Sequence, residues 1–183
     1  MIVVDLETTG LLKPGKDCYS QPGIVQFGAQ LLNSDYASSD WVSKYINPEM
    51  AIEEDAVATH GISQGFVAGA PTFPEIFPEL VQIFRKSRTW VGFNIQFDKQ
   101  VLKYNLERYG LDMRFPWPDK ELDIMLITKD IIAFDGKRGP KPPNLTELHV
   151  ALFGKPFDGA HDAMADVNAT VDCMKELVRQ GLI

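Results

Sequence analysis

Cysteine is scarce in this chain: among 183 residues only Cys18 and Cys173 carry a thiol. That excludes a disulfide framework, and the two fall in no spacing that would hold zinc. Long apolar runs are missing too, none approaching the roughly 20 residues with which a helix crosses a bilayer. The opening apolar stretch, Met1 to Val4, runs into Asp5 without a basic flank and does not read as a secretory signal. These absences predict a reduced, cytoplasmic protein with no membrane contact. Positive charge is also in deficit, since 18 Lys and Arg against 25 Asp and Glu leave a net charge of -7. A protein that wraps nucleic acid through a general basic surface is thereby excluded, whereas one that grips a chain end locally is not. No repeat, low-complexity tract or linker divides the sequence, so its length predicts one domain over residues 1–183.

What is present is organised around the first ten residues. Ile2, Val3 and Val4 lead straight into Asp5-Leu6-Glu7-Thr8-Thr9-Gly10. The β-branched run predicts a buried strand. Side chains alternate along a strand, so Asp5 and Glu7 project from one face at its carboxyl end. Two neighbouring carboxylates at a core edge need a proton, a basic partner or a cation to be tolerable.

The remaining elements follow from pattern and punctuation. Leu11 to Pro22 reads as a loop, and Ile24–Leu32 and Trp41–Ile46 as strands that continue an antiparallel meander. Glu53–Thr59 looks helical before His60-Gly61-Ile62. A second helix carries Ile76, Leu80, Ile83 and Phe84, its early turns limited by Pro74 and Pro78. Thr89–Phe93 is a short strand, and a helix starting at Asp98 runs through Leu106 to a stop at Gly110. Leu122-Asp123-Ile124 reads as a last strand followed by a helical stretch to Ile132. Asp135–Asn144, with Lys137, Arg138 and Lys141, is expected to be an exposed basic loop able to bind substrate phosphates. Asn144 caps a helix closed by Gly154, and the final helix aligns Ala163, Val167, Val171, Met174 and Leu177 before Gly181.

Asp5 and Glu7 at a strand end, Asp98 at a helix start, and Asp166 at the border of an apolar helix face are acids in special places, with His161 five residues before the last. Carboxylates gathered at one site repel unless divalent cations lie between them. All-oxygen ligands favour magnesium or manganese over zinc. Two such ions can activate a water and stabilise the leaving oxygen of a phosphodiester, and a histidine is suited to take the water's proton. Asp162 is read as a helix cap, His149 as structural and Asn94 as a brace for its loop. His60 is either a substrate contact or a turn histidine bonded to its own backbone.

The segments D-L-E-T-T-G at 5–10, N-I-Q-F-D at 94–98 and H-D-A-M-A-D at 161–166 resemble, in order and spacing, the three exonuclease motifs of the DEDDh (DnaQ-like) family, which includes the proofreading subunits of bacterial DNA polymerases. The resemblance implies an α/β fold similar to ribonuclease H, a mixed five-stranded sheet flanked by helices. It further implies a 3′-to-5′ exonuclease that releases nucleoside 5′-monophosphates from single-stranded ends, DNA in preference to RNA. In that scheme Asp5, Glu7 and Asp166 hold a first Mg2+ or Mn2+ ion, Asp5 is shared with a second, and Asp98 acts on the second directly or through water. His161 is the general base; by extrapolation from the scheme, the main-chain and side-chain groups of Thr8, Thr9 and Gly10 line the pocket for the terminal nucleotide, with His60 as a candidate substrate contact. The partners implied are single-stranded DNA or RNA 3′ ends, with a polymerase or repair complex as a wider setting. Two other readings are an RNA or oligonucleotide exonuclease of the same family and a non-catalytic nucleic-acid-binding or polymerase-associated module. Pure binding, however, does not require this cluster of charges.

Overall fold

The computed structural model describes residues 1–111, 115–129, 131–132, 135–136 and 139–183. Its centre is a five-stranded mixed sheet in the order β3-β2-β1-β4-β5. The strands are β1 (Ile2–Thr8), β2 (Ile24–Leu32), β3 (Ser38–Tyr45), β4 (Thr89–Gly92) and β5 (Lys120–Asp123). β1, β2 and β3 pair antiparallel, the first two joined by the long loop over residues 9–23 and the last two by a short turn, whereas β4 lies parallel to β1 and β5 parallel to β4. Helices therefore cover both faces, as a sheet with parallel strands at its centre requires.

The alternation along β1 sorts its side chains between two cores. Ile2, Val4 and Leu6 join a cluster with Phe27, Leu80, Phe84, Leu102 and Leu106. This side is covered by α3 (Phe73–Phe84) and α4 (Ile95–Arg108). Val3 faces the other way, against Val91, Leu148, Val167, Val171 and Met174, which belong in part to α6 (Leu145–Phe153) and α7 (Ala163–Arg179). Asp5 and Glu7 continue the Val3 row, so the acidic pair emerges where the sheet ends and α7 begins.

Sequence reading and structure differ at element ends. β3 begins at Ser38, because the ladder to Leu31 and Leu32 recruits residues of weak strand propensity. α3 starts at Phe73 with a Thr72–Glu75 capping box and runs on through Pro78. Pro74 suits the open first turn, and the apolar face of Ile76, Phe77, Leu80 and Phe84 offsets the hydrogen bond that Pro78 cannot make. α4 starts at Ile95, which puts Asp98 in its first turn and Asn94 at the N-cap position, without a side-chain cap hydrogen bond. The helix after β5, α5 (Ile124–Thr128), stops short of Ile132. Two small helices, α1 (Glu54–His60) and α2 (Gln64–Val67), flank the His60-Gly61 turn. In the basic segment, Asp135–Gly136 and Gly139–Pro140 pair as a short antiparallel ladder, β6 and β7. Lys137 and Arg138 lie outside the described residues, while Lys141 forms an ion pair with Glu147.

Contact between β2 and the start of α7 depends on Gly28. A Cβ there would stand 2.8 Å from the Ala163 carbonyl carbon and oxygen and 3.0 Å from Met164 N, all backbone atoms that cannot rotate away. Gly28→Val is expected to destabilise the protein by roughly 1–3 kcal/mol through overpacking. Thermal or urea unfolding checks it; unchanged stability would show that α7 does not rest on this strand.

Candidate active site

Each acidic residue reaches the site by a different local device. β1 delivers Asp5 and Glu7 from its final turns of pleat, opposite Gly28 and Gln26 of β2. β4 then ends, and Asn94 takes a left-handed conformation (φ 66°) to start α4 over the carboxyl ends of β1 and β4. That start is held by Asp123, whose carboxylate accepts from the backbone N–H groups of Asn94 (3.1 Å), Ile95 (2.9 Å) and Leu126 (3.2 Å). One side chain thus ties β5 to the first turns of α4 and α5, and the Asn94 peptide is braced by it. Asp98, one turn into α4, is 4% exposed.

The other half of the site comes from α7. Asp162 caps the helix, its Oδ1 accepting from Met164 N (3.1 Å) and Ala165 N (3.0 Å). His161 precedes it with a φ of 70°, a strained setting for a residue with a Cβ. Its N–H donates to Asp166 Oδ1 at 3.3 Å. The turn presents the imidazole to the acids: single ligand atoms of Glu7, His161 and Asp166 all lie within 4.8 Å of one another. Asp5 and Asp98 border this group through their charges, since Asp5 acts on Asp98 and Glu7, and Asp166 acts on Asp5.

The electrostatic cost falls on each of the four carboxyls. Burial, followed by repulsion from Asp166 and Asp162, raises the Asp5 carboxyl well above its ordinary value; Asp5 keeps some solvent contact, but protein atoms crowd its charged end. Burial and then Asp5 push Glu7 up to about 9. Asp98 is raised by burial and by Asp5, against the opposing pull of its own N–H and that of Leu6. Asp166 rises to about 6, mainly by burial. Among the described residues, the Lys and Arg ion pairs all lie elsewhere, so no Lys or Arg pairs with the group, and His161 alone opposes the rise at Asp166. Carboxylate oxygens with an imidazole, short of positive charge, are a donor set suited to hard divalent cations.

A cavity of about 320 Å³ opens beside Glu7, with Thr8, Gly10, Leu11, His60 and Phe97 in its wall. Thr9 turns elsewhere, its Oγ1 accepting from Gly23 N at 3.0 Å. His60 lines the cavity with both ring nitrogens engaged: Nδ1 accepts from Ile62 N (3.0 Å), which leaves the proton on Nε2 to donate to Thr8 O (3.1 Å). A second cavity of about 240 Å³ lies at His161 and Asp166, against Asn144 and the first turn of α6. His149 is buried, with Nδ1 2.7 Å from the Lys155 carbonyl, away from the acids.

Fold and site together define a ribonuclease H-like α/β protein with an acidic cleft at the carboxyl end of its central strand. Residues 2–174 match the RNase_T family, described as exonuclease, and the chain belongs to that family, whose DEDDh members its motifs resemble. It is 32% identical over 170 residues to the 3′-5′ exonuclease DinG of Bacillus subtilis, a match covering 92% of this chain and 16% of that protein. It is 30% identical over 114 residues to DNA polymerase III subunit epsilon of Buchnera aphidicola, covering 62% of this chain and 45% of that one. In fold it is similar to E. coli Exonuclease I in complex with a dT13 oligonucleotide, with a TM-score of 0.78 at 21% identity over 97% of this chain and 40% of the other. The chain spans less than half the length of these proteins. Among the described residues no helix is long and apolar enough to cross a membrane.

The raised carboxyl values carry a stability signature. Because the folded protein binds these protons more tightly than the unfolded chain, the associated stability is complete below the ordinary values of 3.8 and 4.5 and is lost as pH climbs through about 6 for Asp166 and about 9 for Glu7. The melting temperature of the metal-free protein is expected to fall between those limits, and a divalent cation to restore it most at the alkaline end. A cation-insensitive melting temperature at alkaline pH contradicts this.

Proposed function

We propose that residues 1–183 act as one exonuclease domain that removes nucleoside 5′-monophosphates from single-stranded 3′ ends, DNA in preference to RNA. The observation that carries this reading is the convergence of Glu7, His161 and Asp166, flanked by Asp5 and Asp98, with no Lys or Arg paired to them among the described residues. Asp5, Glu7, Asp98 and Asp166 would hold two divalent ions, Mg2+ or Mn2+. When bound, such ions lower the pKa of water and stabilise the leaving oxygen of a phosphodiester.

The chain's own groups supply the rest. His161, whose backbone N–H donates to Asp166, takes the proton of the attacking water at a ring nitrogen. The cavity beside Glu7 receives the terminal nucleotide, with Thr8, Gly10 and His60 in its wall and Thr9 anchoring the turn behind them. A site that accepts one nucleotide at a chain end needs no basic surface, in keeping with the net charge of -7. The likeness to a polymerase subunit supports a polymerase or repair complex as partner. Two free, buried cysteines support a reducing cytoplasmic setting.

Digestion of 5′-labelled single-stranded DNA, duplex DNA and RNA with Mg2+ or Mn2+ tests substrate and polarity together. A ladder shortening from the 3′ end, fastest on single-stranded DNA and abolished by chelation or by Asp5→Ala, is the expected result. His161→Ala is expected to lower kcat by about two to four orders of magnitude, as for loss of a general base. Internal cuts, or a metal-independent ladder, would overturn the assignment.

A further inference from the structure

The acidic half-sites on β1 and α7 must be held in register, and the contact that holds them lies on β2. Gln26 is 1% exposed and stands opposite Glu7 in the β1–β2 ladder, so it shares the face of the acidic row. Its Nε2 donates to Asp162 Oδ2 at 2.7 Å, while its Oε1 accepts from Ala163 N at 3.1 Å. Asp162 Oδ1 meanwhile takes the N–H groups of Met164 and Ala165. Three of the donors that a helix start leaves open are thus satisfied by two side chains, one of them on a strand 137 residues away. An amide is needed at position 26, since only a group with one donor and one acceptor answers both a carboxylate and an N–H. Two positions on, Gly28 lets the Ala163 backbone close onto the strand beside Asp5.

From this geometry we infer that Gln26 is a positioning residue for the reaction: it fixes the start of α7, and with it His161 and Asp166, against Asp5 and Glu7. The inference rests on the exonuclease reading for its catalytic consequence, though not for the clamp itself. A displacement of about 1 Å between groups that must act together costs on the order of 100-fold in rate.

The pair can be exchanged without losing a hydrogen bond. In Gln26→Glu combined with Asp162→Asn, the new carboxylate accepts from Ala163 N–H and from the new amide NH2, and the new amide carbonyl still accepts from Met164 and Ala165. Either single change breaks the match, Gln26→Glu by facing two carboxylates and Asp162→Asn by facing two amide donors. Each single variant is expected to lose about 10- to 100-fold in kcat on single-stranded DNA with KM within about twofold of wild type, and the double variant to return to within about threefold. Amide hydrogen exchange at residues 163–165 in the metal-free protein is expected to accelerate in both singles and to slow again in the double. Singles with wild-type kcat, or a double variant as slow as the singles, would overturn the positioning role. If the wild-type protein digests no 3′ end, the exonuclease reading fails while the exchange pattern still decides the clamp.

Discussion

The rest of the structure depends on carboxylates that are pressed together at the end of one strand with no Lys or Arg paired to them among the described residues. Their desolvation, followed by mutual repulsion, drives Glu7 up to about 9 and favours protonation over folding with full charge. Such an arrangement persists only because the surrounding elements over-determine it. The apolar rows of β1 lock the strand from both faces, Asp123 holds the first turn of α4, and Gln26 with Asp162 holds the first turn of α7. The site is stiff where its own electrostatics would push it apart.

The same elements divide the labour. The β1 end supplies the acidic pair, and the cavity beside it, walled by Thr8, Gly10 and His60, is where we propose that the terminal nucleotide sits. The strained turn before α7 supplies His161, exposing the imidazole while its backbone N–H is held by Asp166. Strain of this kind is tolerated because Asp166 and the helix cap beside it pay back the loss in hydrogen bonds.

Much of this was legible in the sequence because it is written in local periodicity. The alternation of Ile2 to Glu7 marks a buried strand with an acidic end, and the Asn144 and Asp162 caps announce their helices. What was not legible depends on partners distant in the chain. β3 extends to Ser38 because β2 offers a ladder, and Asp98 lies within its helix because Asp123, from another strand, secures the start. Gln26 looks like any polar residue in a strand until the fold brings Asp162 against it. A cap-like Asp before Ile124-Met125-Leu126 was a visible signal for Asp123; for Gln26, burial opposite Glu7 was the only clue, and it needs the register to be read.

If the charge cluster exists to bind cations, loading it must expel the protons that burial and repulsion favour. Calorimetric titration of the metal-free protein with Mg2+ near pH 7, repeated in buffers of different ionisation enthalpy, measures that release directly. The account predicts release of about one proton or more per protein, diminished in Glu7→Gln. Binding without proton release, or release unchanged by that substitution, would contradict it.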